Sequence, residues 1–263
     1  FATFHFNETY AQKDGTIRRE VSFPKTTGDL VISGPHFFVG NPSYKTPRSL
    51  LTNNSHYDVI DLIDLPEDYL PRTVYLPNVS RAEYRARSPK VPWTSSDGSD
   101  SVLDYYRVVL NNMVGPANER SLKVTVAPPG CGHVHTVNSY AMRSPGRTAV
   151  LAATWQSLPV DFFVKSTGSG HFHPNLAKRM PLANRHVPEI AVRQCAMTCV
   201  TRHHAELWES CFVPSWKQAS WGLAEHGLPP EYFNRISPAW TPDSAIRSAQ
   251  ARRALLVEID VLV

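Results

Sequence analysis

The sequence predicts an α+β fold, with a strand-rich region and a curved mixed sheet at 1–182 and a helical region at 183–263. Three observations favour this class. Short β-type runs bounded by Gly and Pro concentrate in the first region, and the longest helical patterns, at 188–212 and 242–263, lie in the second. Hydrophobic residues make up 42% and charged residues 19%, as in an ordinary folded protein.

The strands are predicted from β-branched and aromatic runs that end at turn residues. Such runs occur at 21–23, 29–32, 36–40, 57–63, 122–127 and 161–165. The run at 122–127 alternates and ends at Pro128-Pro129-Gly130. The 22 prolines against 13 glycines predict that the elements are short and joined by rigid loops.

The helices are predicted from apolar residues at helical spacing. The segment 102–113 has this spacing, and Gly115-Pro116 follow it as a stop signal. A second helix is predicted at 148–158, and the two C-terminal patterns predict one helix each, the last opened by Thr241-Pro242-Asp243. The segment 64–101, rich in Pro, Ser, Asp and Arg, predicts an irregular, exposed stretch.

Charge and cysteine content restrict the compartment and the partners. The net charge of +4 and the pI near 8.9 are compatible with an anionic partner without requiring one. Four cysteines in 263 residues do not make a disulfide framework, so a reducing, cytoplasmic location is expected. No apolar run approaches the ~20 residues that cross a bilayer, and the first residues lack a signal-peptide pattern, so no membrane partner is expected. Because 254–263 end within an apolar helical pattern, we expect the chain to be part of a longer protein.

The turn Gly40-Asn41-Pro42-Ser43-Tyr44 resembles the Asn-Pro-Pro-Tyr turn of adenine methyltransferases. In that turn the Asn side chain and a Pro carbonyl accept hydrogen bonds from the amine to be methylated, and the aromatic ring stacks on the flipped base. Ser43 departs from the pattern, and residues 1–36 contain no glycine-rich turn to hold a methyl donor. We therefore interpret this segment as a structural turn and predict no catalytic residue in this chain.

The cysteines near the C-terminus have the spacing of one helix face. Cys195, Cys199 and His203 are spaced i, i+4 and i+8, and Cys211 follows. On a helix this spacing spreads the side chains over more than ~10 Å, too far for one tetrahedral zinc ion. The pattern therefore predicts buried cysteines on a core-facing stripe rather than metal ligands.

Motifs for other chemistries do not occur in the sequence. It has no Gly-x-Ser-x-Gly elbow and no phosphate-cradling P-loop, and no carboxylate pair stands out near a histidine. The pairs His133-x-His135 and His171-x-His173 fit either ligand contacts or solvated loops. Basic residues on polar loops likewise fit either an anion-binding surface or an ordinary solvated one.

Several segments together resemble the C-terminal half of large single-chain adenine methyltransferases of restriction–modification and phage-defence systems (type IIG enzymes and the methylases of BREX- and DISARM-like clusters). The segments that carry the resemblance are 33–42, 45–48, 120–122 with Pro128-Pro129-Gly130, 157–165, Gly168-Ser169-Gly170-His171-Phe172, Leu176, 180–182 and 252–263. In that family this region follows the methyltransferase domain and recognises the DNA target.

The resemblance implies a DNA-recognition domain at 1–182 and a helical C-terminal region at 183–263. Double-stranded DNA and the methyltransferase domain of the same or an associated chain are the expected partners. S-adenosylmethionine is expected as the cofactor of the parent enzyme, with no cofactor or metal in this chain. We expect base and phosphate contacts on polar loops, from the residues Lys45, Arg48, Arg81, Arg85, Arg87, Lys90, His135, Lys165, His171, His173 and Arg179.

Two other functions stay open from the sequence. The chain can be a protein-interaction module of a defence complex, whose basic loops contact a partner subunit. It can also be a methyltransferase fragment completed by another chain that supplies the methyl donor. Salt-dependent DNA affinity separates the recognition module from the first alternative, and binding of S-adenosylmethionine by the isolated chain would favour the second.

The arginine-rich segment at 81–90 generates a first prediction. Replacing Arg85 and Arg87 with Ala weakens DNA binding across all sequences if both side chains contact phosphates. The measurement is fluorescence anisotropy with duplexes of different sequence. Unchanged affinity in the double variant would assign this segment to ordinary protein surface.

Overall fold

A computed structural model describes residues 2–4, 7–53, 55–93, 100–115, 117–222 and 227–263. The strands within this part are β1 (Ala2–Phe4), β2 (Ile17–Ser22), β3 (Val31–Ile32), β4 (Lys45–Pro47), β5 (Tyr57–Val59), β6 (Thr73–Pro77), β7 (Arg107–Asn111), β8 (Val124–Ala127), β9 (Gly132–His133) and β10 (Val137–Ala141). The α-helices are α1 (Glu8–Lys13), α2 (Arg81–Arg87), α3 (Pro145–Gln156), α4 (Leu158–Ser166), α5 (Pro174–Ala177), α6 (Val187–Thr198), α7 (Ala205–Cys211), α8 (Tyr232–Arg235) and α9 (Ala249–Leu262). The predicted α+β class and helical C-terminal region are confirmed.

The described strands form separate small sheets rather than one mixed sheet. The largest is antiparallel, in the order β1-β10-β7-β8. Three two-stranded sheets pair β2 with β6, β4 with β5 and, in parallel, β3 with β9. Short strands of this kind follow from the many prolines, which interrupt the ladders of backbone hydrogen bonds.

The largest hydrophobic cluster lies between the four-stranded sheet and the helices. Val108 and Leu110 of β7 and Val124 and Val126 of β8 join residues of α3, α6 and α9 in this cluster. This cluster therefore contains residues from both sides of position 182. The domain boundary expected at that position stays a prediction. No helix in the described part of the chain is long and apolar enough to cross a membrane.

Two segments have the opposite structure to the one predicted. The segment 102–113 was expected to be a helix, but a 3-10 turn at Val102–Asp104 leads into strand β7. This strand lies inside the sheet and is buried on both faces. Such a strand has apolar residues at successive positions, so some of them also fall at helical spacing. Conversely, the expected strand at 161–165 is part of helix α4, which begins with Pro159 in its first turn.

Smaller differences affect the remaining elements. The expected strand at 36–40 is a 3-10 turn at Gly34–His36 followed by a tight loop. The helix expected at 188–212 is split into α6 and α7, and the one at 242–263 starts only at Ala249. The segment 64–101 was expected to be irregular, but it contains β6 and α2. Residues 94–99 of this segment lie outside the described part of the chain, and so does Pro116, which was expected to end a helix.

A buried arginine of α9 joins three distant segments. The Arg252 guanidinium donates to the carbonyl oxygens of Met197 and Ile246, both at 2.8 Å, and of Gly40, at 3.0 Å. Burial lowers its pKa to about 10, so it stays charged at neutral pH. Gly40 has a φ of +65°, and a Cβ there would lie 2.4 Å from Met197 Cε, so this turn requires glycine.

A buried ion pair adds a second link between α6 and α9. Arg193 donates from Nε and Nη2 to Glu258 Oε2 at 3.0 and 2.7 Å, and both side chains are about 5% exposed or less. The Arg193 guanidinium also lies 5.2 Å from the ring centroid of Trp221. Removing one partner of such a pair leaves an uncompensated buried charge.

The position of Arg252 generates a stability prediction. Arg252→Met should lower the free energy of unfolding by about 3 kcal/mol or more, because three carbonyl oxygens lose their donor. The matched control is Arg253→Met, at an exposed neighbour, which should change stability by less than about 0.5 kcal/mol. Urea unfolding followed by circular dichroism measures both. Equal stability of the two variants would contradict the linking role of Arg252.

Candidate nucleic-acid interface

The charge distribution along the chain singles out one region. Between Glu119 and Glu189 the only acidic residue is Asp161. The same stretch contains eight basic residues: Arg120, Lys123, Arg143, Arg147, Lys165, Lys178, Arg179 and Arg185. Arg120 is only 10% exposed and pairs with Asp260 at 2.6 Å, so the excess of positive charge in this stretch rests on the other basic residues.

Asp161 is itself buried and offsets the charge of one basic residue of this stretch, Lys165. Its side chain is buried in α4, where it accepts a hydrogen bond from the Ser121 N–H and pairs with Lys165 Nζ at 2.8 Å. Burial alone would raise the pKa of this carboxyl, but the hydrogen bonds from Lys165 and Ser121 outweigh it and lower the pKa. The carboxylate is therefore ionised and fully engaged inside the protein.

A loop between α4 and α5 exposes polar and basic groups. Gly168, with a φ of +64°, follows the end of α4, and no heavy atom lies within 4 Å of where a Cβ of Gly168 or Gly170 would be. The backbone of this loop is thus open to a ligand from outside. The His171 and His173 rings lie 5.8 Å apart, and both residues are exposed.

Phe172 fixes this loop to the core. Its side chain is buried, with ring centroids 5.9 Å from Tyr140 and 5.5 Å from Trp155. Its N–H donates to the Asn112 carbonyl at 2.7 Å. The alternation of exposed histidine, buried phenylalanine and exposed histidine therefore places both imidazoles on the outside.

Two further basic residues lie directly after α5. Lys178 and Arg179 are exposed, and the Arg179 guanidinium lies 5.8 Å from the ring centroid of Phe163 in α4. We name the set Lys165, His171, His173, Lys178 and Arg179 the α4–α5 surface. Within the described residues, Lys165 is the only member in an ion pair, and its partner is the buried Asp161.

A second group of candidate residues lies at the β4–β5 hairpin. Lys45 Nζ lies 5.2 Å from the Tyr44 ring centroid, and Arg48 pairs with Asp58 at 2.8 Å. The Tyr44 ring in turn packs against Phe38, with centroids 4.9 Å apart. Lys123 Nζ lies 5.5 Å from the Phe38 centroid. We name Phe38, Tyr44, Lys45 and Lys123 the ring–lysine cluster.

The Asn-Pro-Ser-Tyr segment is occupied by structural hydrogen bonds. Asn41 Oδ1 accepts from the Ser43 N–H at 2.9 Å, and the N–H groups of Phe38 and Asn41 bond to each other's carbonyl oxygens. The Asn41 side-chain oxygen thus accepts one hydrogen bond within its own turn, and the interpretation as a structural turn stays a prediction.

The third group, predicted as an arginine-rich loop, is helix α2, capped by Ser80. Arg85 makes a bidentate pair with Asp104, its shortest distance being 2.6 Å, and Arg87 pairs with Glu83 at 2.5 Å. Lys90 Nζ donates to the Arg85 carbonyl at 3.5 Å. Exposed pairs of this kind are worth only about 0–1 kcal/mol, so an anionic partner can displace them at low cost.

Two candidates have other surroundings. Arg81 lies beside Gly28 and donates to Thr26 Oγ1 at 3.4 Å, and it pairs with no carboxylate of the described residues. His135 donates its backbone N–H to Glu8 Oε2 at 2.9 Å.

Apart from Arg81 and His135, the predicted residues therefore lie in three groups, held by different elements. Lys178 of the α4–α5 surface was not among the predicted contact residues, and neither were Lys123, Arg143, Arg147 and Arg185. The scarcity of acidic residues between Glu119 and Glu189 was the signal that could have found them.

The prediction that the cysteines near the C-terminus are buried is confirmed. Cys195, Cys199 and Cys211 are all buried, and the four cysteines of the chain are free thiols. Among the residues described, no group of three or more His, Cys, Asp or Glu side chains is arranged to hold a metal ion.

In a comparison with known proteins, no family model, curated protein sequence or solved structure matches the chain.

Two buried histidines generate a pH prediction. Burial lowers the pKa of His36 and of His204 to about 4, against about 6.5 in an unfolded chain. Between these values the unfolded state binds more protons, so stability is present above about pH 6.5 and is lost as the pH falls towards 4. His204 Nε2 hydrogen-bonds to the Val126 carbonyl at 3.0 Å, a contact that a glutamine amide can replace.

We therefore expect His204→Gln to flatten the decrease in unfolding free energy between pH 6.5 and 4, by roughly 3 kcal/mol at most. The control His171→Gln, at an exposed position, should leave the slope unchanged. Urea unfolding at a series of pH values measures both slopes. Identical slopes for wild type and His204→Gln would show that this imidazole is not held neutral by burial.

Proposed function

We propose that this chain is a DNA-recognition module, and that the α4–α5 surface binds the phosphate backbone of the duplex. One observation carries the proposal: a stretch with eight basic residues has a single acidic one, and that one is buried and paired. Lys165 pairs with Asp161, but Lys178 and Arg179 form no ion pair within the described residues, and a surface with such cations attracts a polyanion.

The chemistry of the surface suits phosphate more than base edges. Lys178 and Arg179 supply exposed cationic donors, and the Gly168-to-Gly170 loop supplies an open backbone between them and Lys165. Lysine, arginine, serine hydroxyl and backbone N–H groups are the usual phosphate contacts of DNA-binding proteins, and they fix the register of the protein on the duplex.

The identity of the parent protein is part of the same proposal. The resemblance to large adenine methyltransferases supports a recognition role in a restriction–modification or phage-defence system. On this proposal a methyltransferase domain, in the same or an associated chain, binds S-adenosylmethionine and transfers the methyl group. A cytoplasmic location suits four free, buried thiols.

A protein-interaction role is the second candidate, and one observation favours it. The apolar side chains of Leu158, Phe162 and Val261 are 51%, 74% and 79% exposed. Leu158 and α9 are in contact, because the Leu158 N–H donates to Asp260 Oδ1 at 2.7 Å. Exposed apolar residues on neighbouring helices are typical of contacts with other proteins or domains.

The DNA-binding proposal is tested by charge-matched variants. The double variant Lys178→Gln/Arg179→Gln should bind a duplex about tenfold more weakly at ~100 mM salt, and its plot of log K against log salt should be shallower by about one to two. Lys217→Gln/Arg235→Gln removes the same charge from two exposed residues outside this surface. Fluorescence anisotropy over a salt series measures both.

The control variant should bind like the wild type. Equal loss in both double variants would mean that only net charge matters, and the α4–α5 surface would not be the binding site. No DNA affinity at low salt for the wild type would overturn the function itself and favour the protein-interaction role.

A further inference from the structure

Two exposed histidines lie on one face of the segment between α4 and α5. His171 and His173 are separated by one residue, the buried Phe172. The backbone is extended at His173, and residues two apart in an extended segment point to the same face. The ring centroids of the two histidines lie 5.8 Å apart, with an angle of 34° between the ring planes. Within the described residues, no ring nitrogen of either histidine makes a hydrogen bond.

An antiparallel β-bridge places a methionine beside these histidines. Met113 is the cross-strand partner of His171, and the residues on either side of this pair make the two flanking backbone hydrogen bonds, of 2.7 and 3.0 Å. The two residues themselves therefore form a non-hydrogen-bonded pair, whose Cα atoms lie about 4.5 Å apart and whose side chains lie on the same face. The thioether of Met113 is thus on the face that carries the two imidazoles.

The side chain of Met113 points away from the core. It is 67% exposed, whereas its neighbour Val114 is buried in the main hydrophobic cluster. Packing therefore contributes little to the position of the thioether, and the register of the bridge determines it. The three side chains of Met113, His171 and His173 form an exposed set whose sulfur and nitrogen atoms are all potential metal ligands.

The spacing of the two imidazoles matches that of two ligands of one metal ion. A metal–nitrogen bond of about 2.0–2.1 Å puts the metal roughly 3.2 Å from the centroid of the imidazole ring. Two rings on one ion then have centroids about 5.5 Å apart at a trigonal angle and about 6.4 Å apart at a linear one. The observed 5.8 Å lies between these values. A third ligand on the same face therefore completes a three-coordinate site.

The types of ligand select monovalent copper. The thioether is a soft ligand that favours Cu(I), and imidazole binds copper as readily as it binds zinc. The charged residues of the α4–α5 surface, Lys165, Lys178 and Arg179, are all basic, and they repel a dication about twice as strongly as a monocation. Both the sulfur ligand and the basic surroundings thus favour Cu(I) over Zn(II).

We propose that His171, His173 and Met113 bind one Cu(I) ion, through one nitrogen of each imidazole and the thioether sulfur. The bridge fixes Met113 beside His171, and the buried Phe172 holds both imidazoles on the outside, before any metal arrives. Little conformational entropy is therefore lost on binding. The site shares its histidines with the α4–α5 surface, but binding of the metal requires no DNA and does not depend on the proposed function.

The test uses Cu(I) alone, titrated without oxygen into the chain labelled with ¹³C at its methionine methyl groups and followed by nuclear magnetic resonance. The chain has four methionines, so each gives its own methyl signal. The Met113 signal should shift and saturate at a single Cu(I) per chain, while the signals of the other methionines should stay in place. Competition with a coloured chelator of Cu(I) measures the affinity.

Variants of the three ligands separate their contributions. His171→Gln, His173→Gln and Met113→Leu should each weaken Cu(I) binding by about tenfold or more, because each removes one ligand. Met113→Leu should leave the weaker affinity for Zn(II) unchanged, because zinc gains little from a thioether. The control His186→Asn, at another exposed histidine, should bind like the wild type. The amide spectrum of each variant reports whether it is folded.

Three results would overturn the proposal. Binding of Cu(I) without a shift of the Met113 methyl signal would assign the metal to other groups, such as the buried thiols. Wild-type affinity in the double variant His171→Gln/His173→Gln would show that the imidazoles are not ligands. An affinity for Zn(II) as high as that for Cu(I) would contradict the selection of copper.

Discussion

The buried guanidinium of Arg252 is the contact that joins the C-terminal helix to distant parts of the fold. It joins the last helix to the end of α6, to the turn before α9 and to the Gly40 carbonyl of the 38–44 loop. Charged groups are rarely buried without compensation, and here three carbonyl oxygens supply it. The C-terminal helix thereby fixes a loop more than two hundred residues earlier in the chain.

The two basic surfaces are positioned by different means, and only the first depends on Arg252. The 38–44 loop, held between Arg252 and β8, carries the ring–lysine cluster. The α4–α5 surface is held by the core, through Phe172 and the buried pair of Asp161 with Lys165. Both contain basic side chains that form no ion pair within the described residues, Lys45 and Lys123 in the first and Lys178 and Arg179 in the second. Preorganised cations of this kind gain more from an anionic partner than mobile side chains do.

Local patterns predicted the elements whose periodicity is clear in the sequence. The alternation at 122–127 gave β8, and the helical spacing at 148–158 gave α3. The patterns failed for β7 and α4, because an apolar run in a central strand and one in a short helix look alike. Of the candidate site, the charge of the α4–α5 surface was readable from the order of charged residues. The position of Lys123 beside the Phe38 ring was not, because the 38–44 loop is placed next to β8 by the hydrogen bond from Gly40 to Val124.

The most direct test of the account is hydrogen–deuterium exchange of the chain with and without a DNA duplex at low salt. Slower exchange of the backbone amides at 166–179 on DNA binding is the predicted result, because these residues form the open loop and the basic turn of the α4–α5 surface. Protection confined to 81–90, or the absence of any protection under conditions where the duplex is bound, would contradict it.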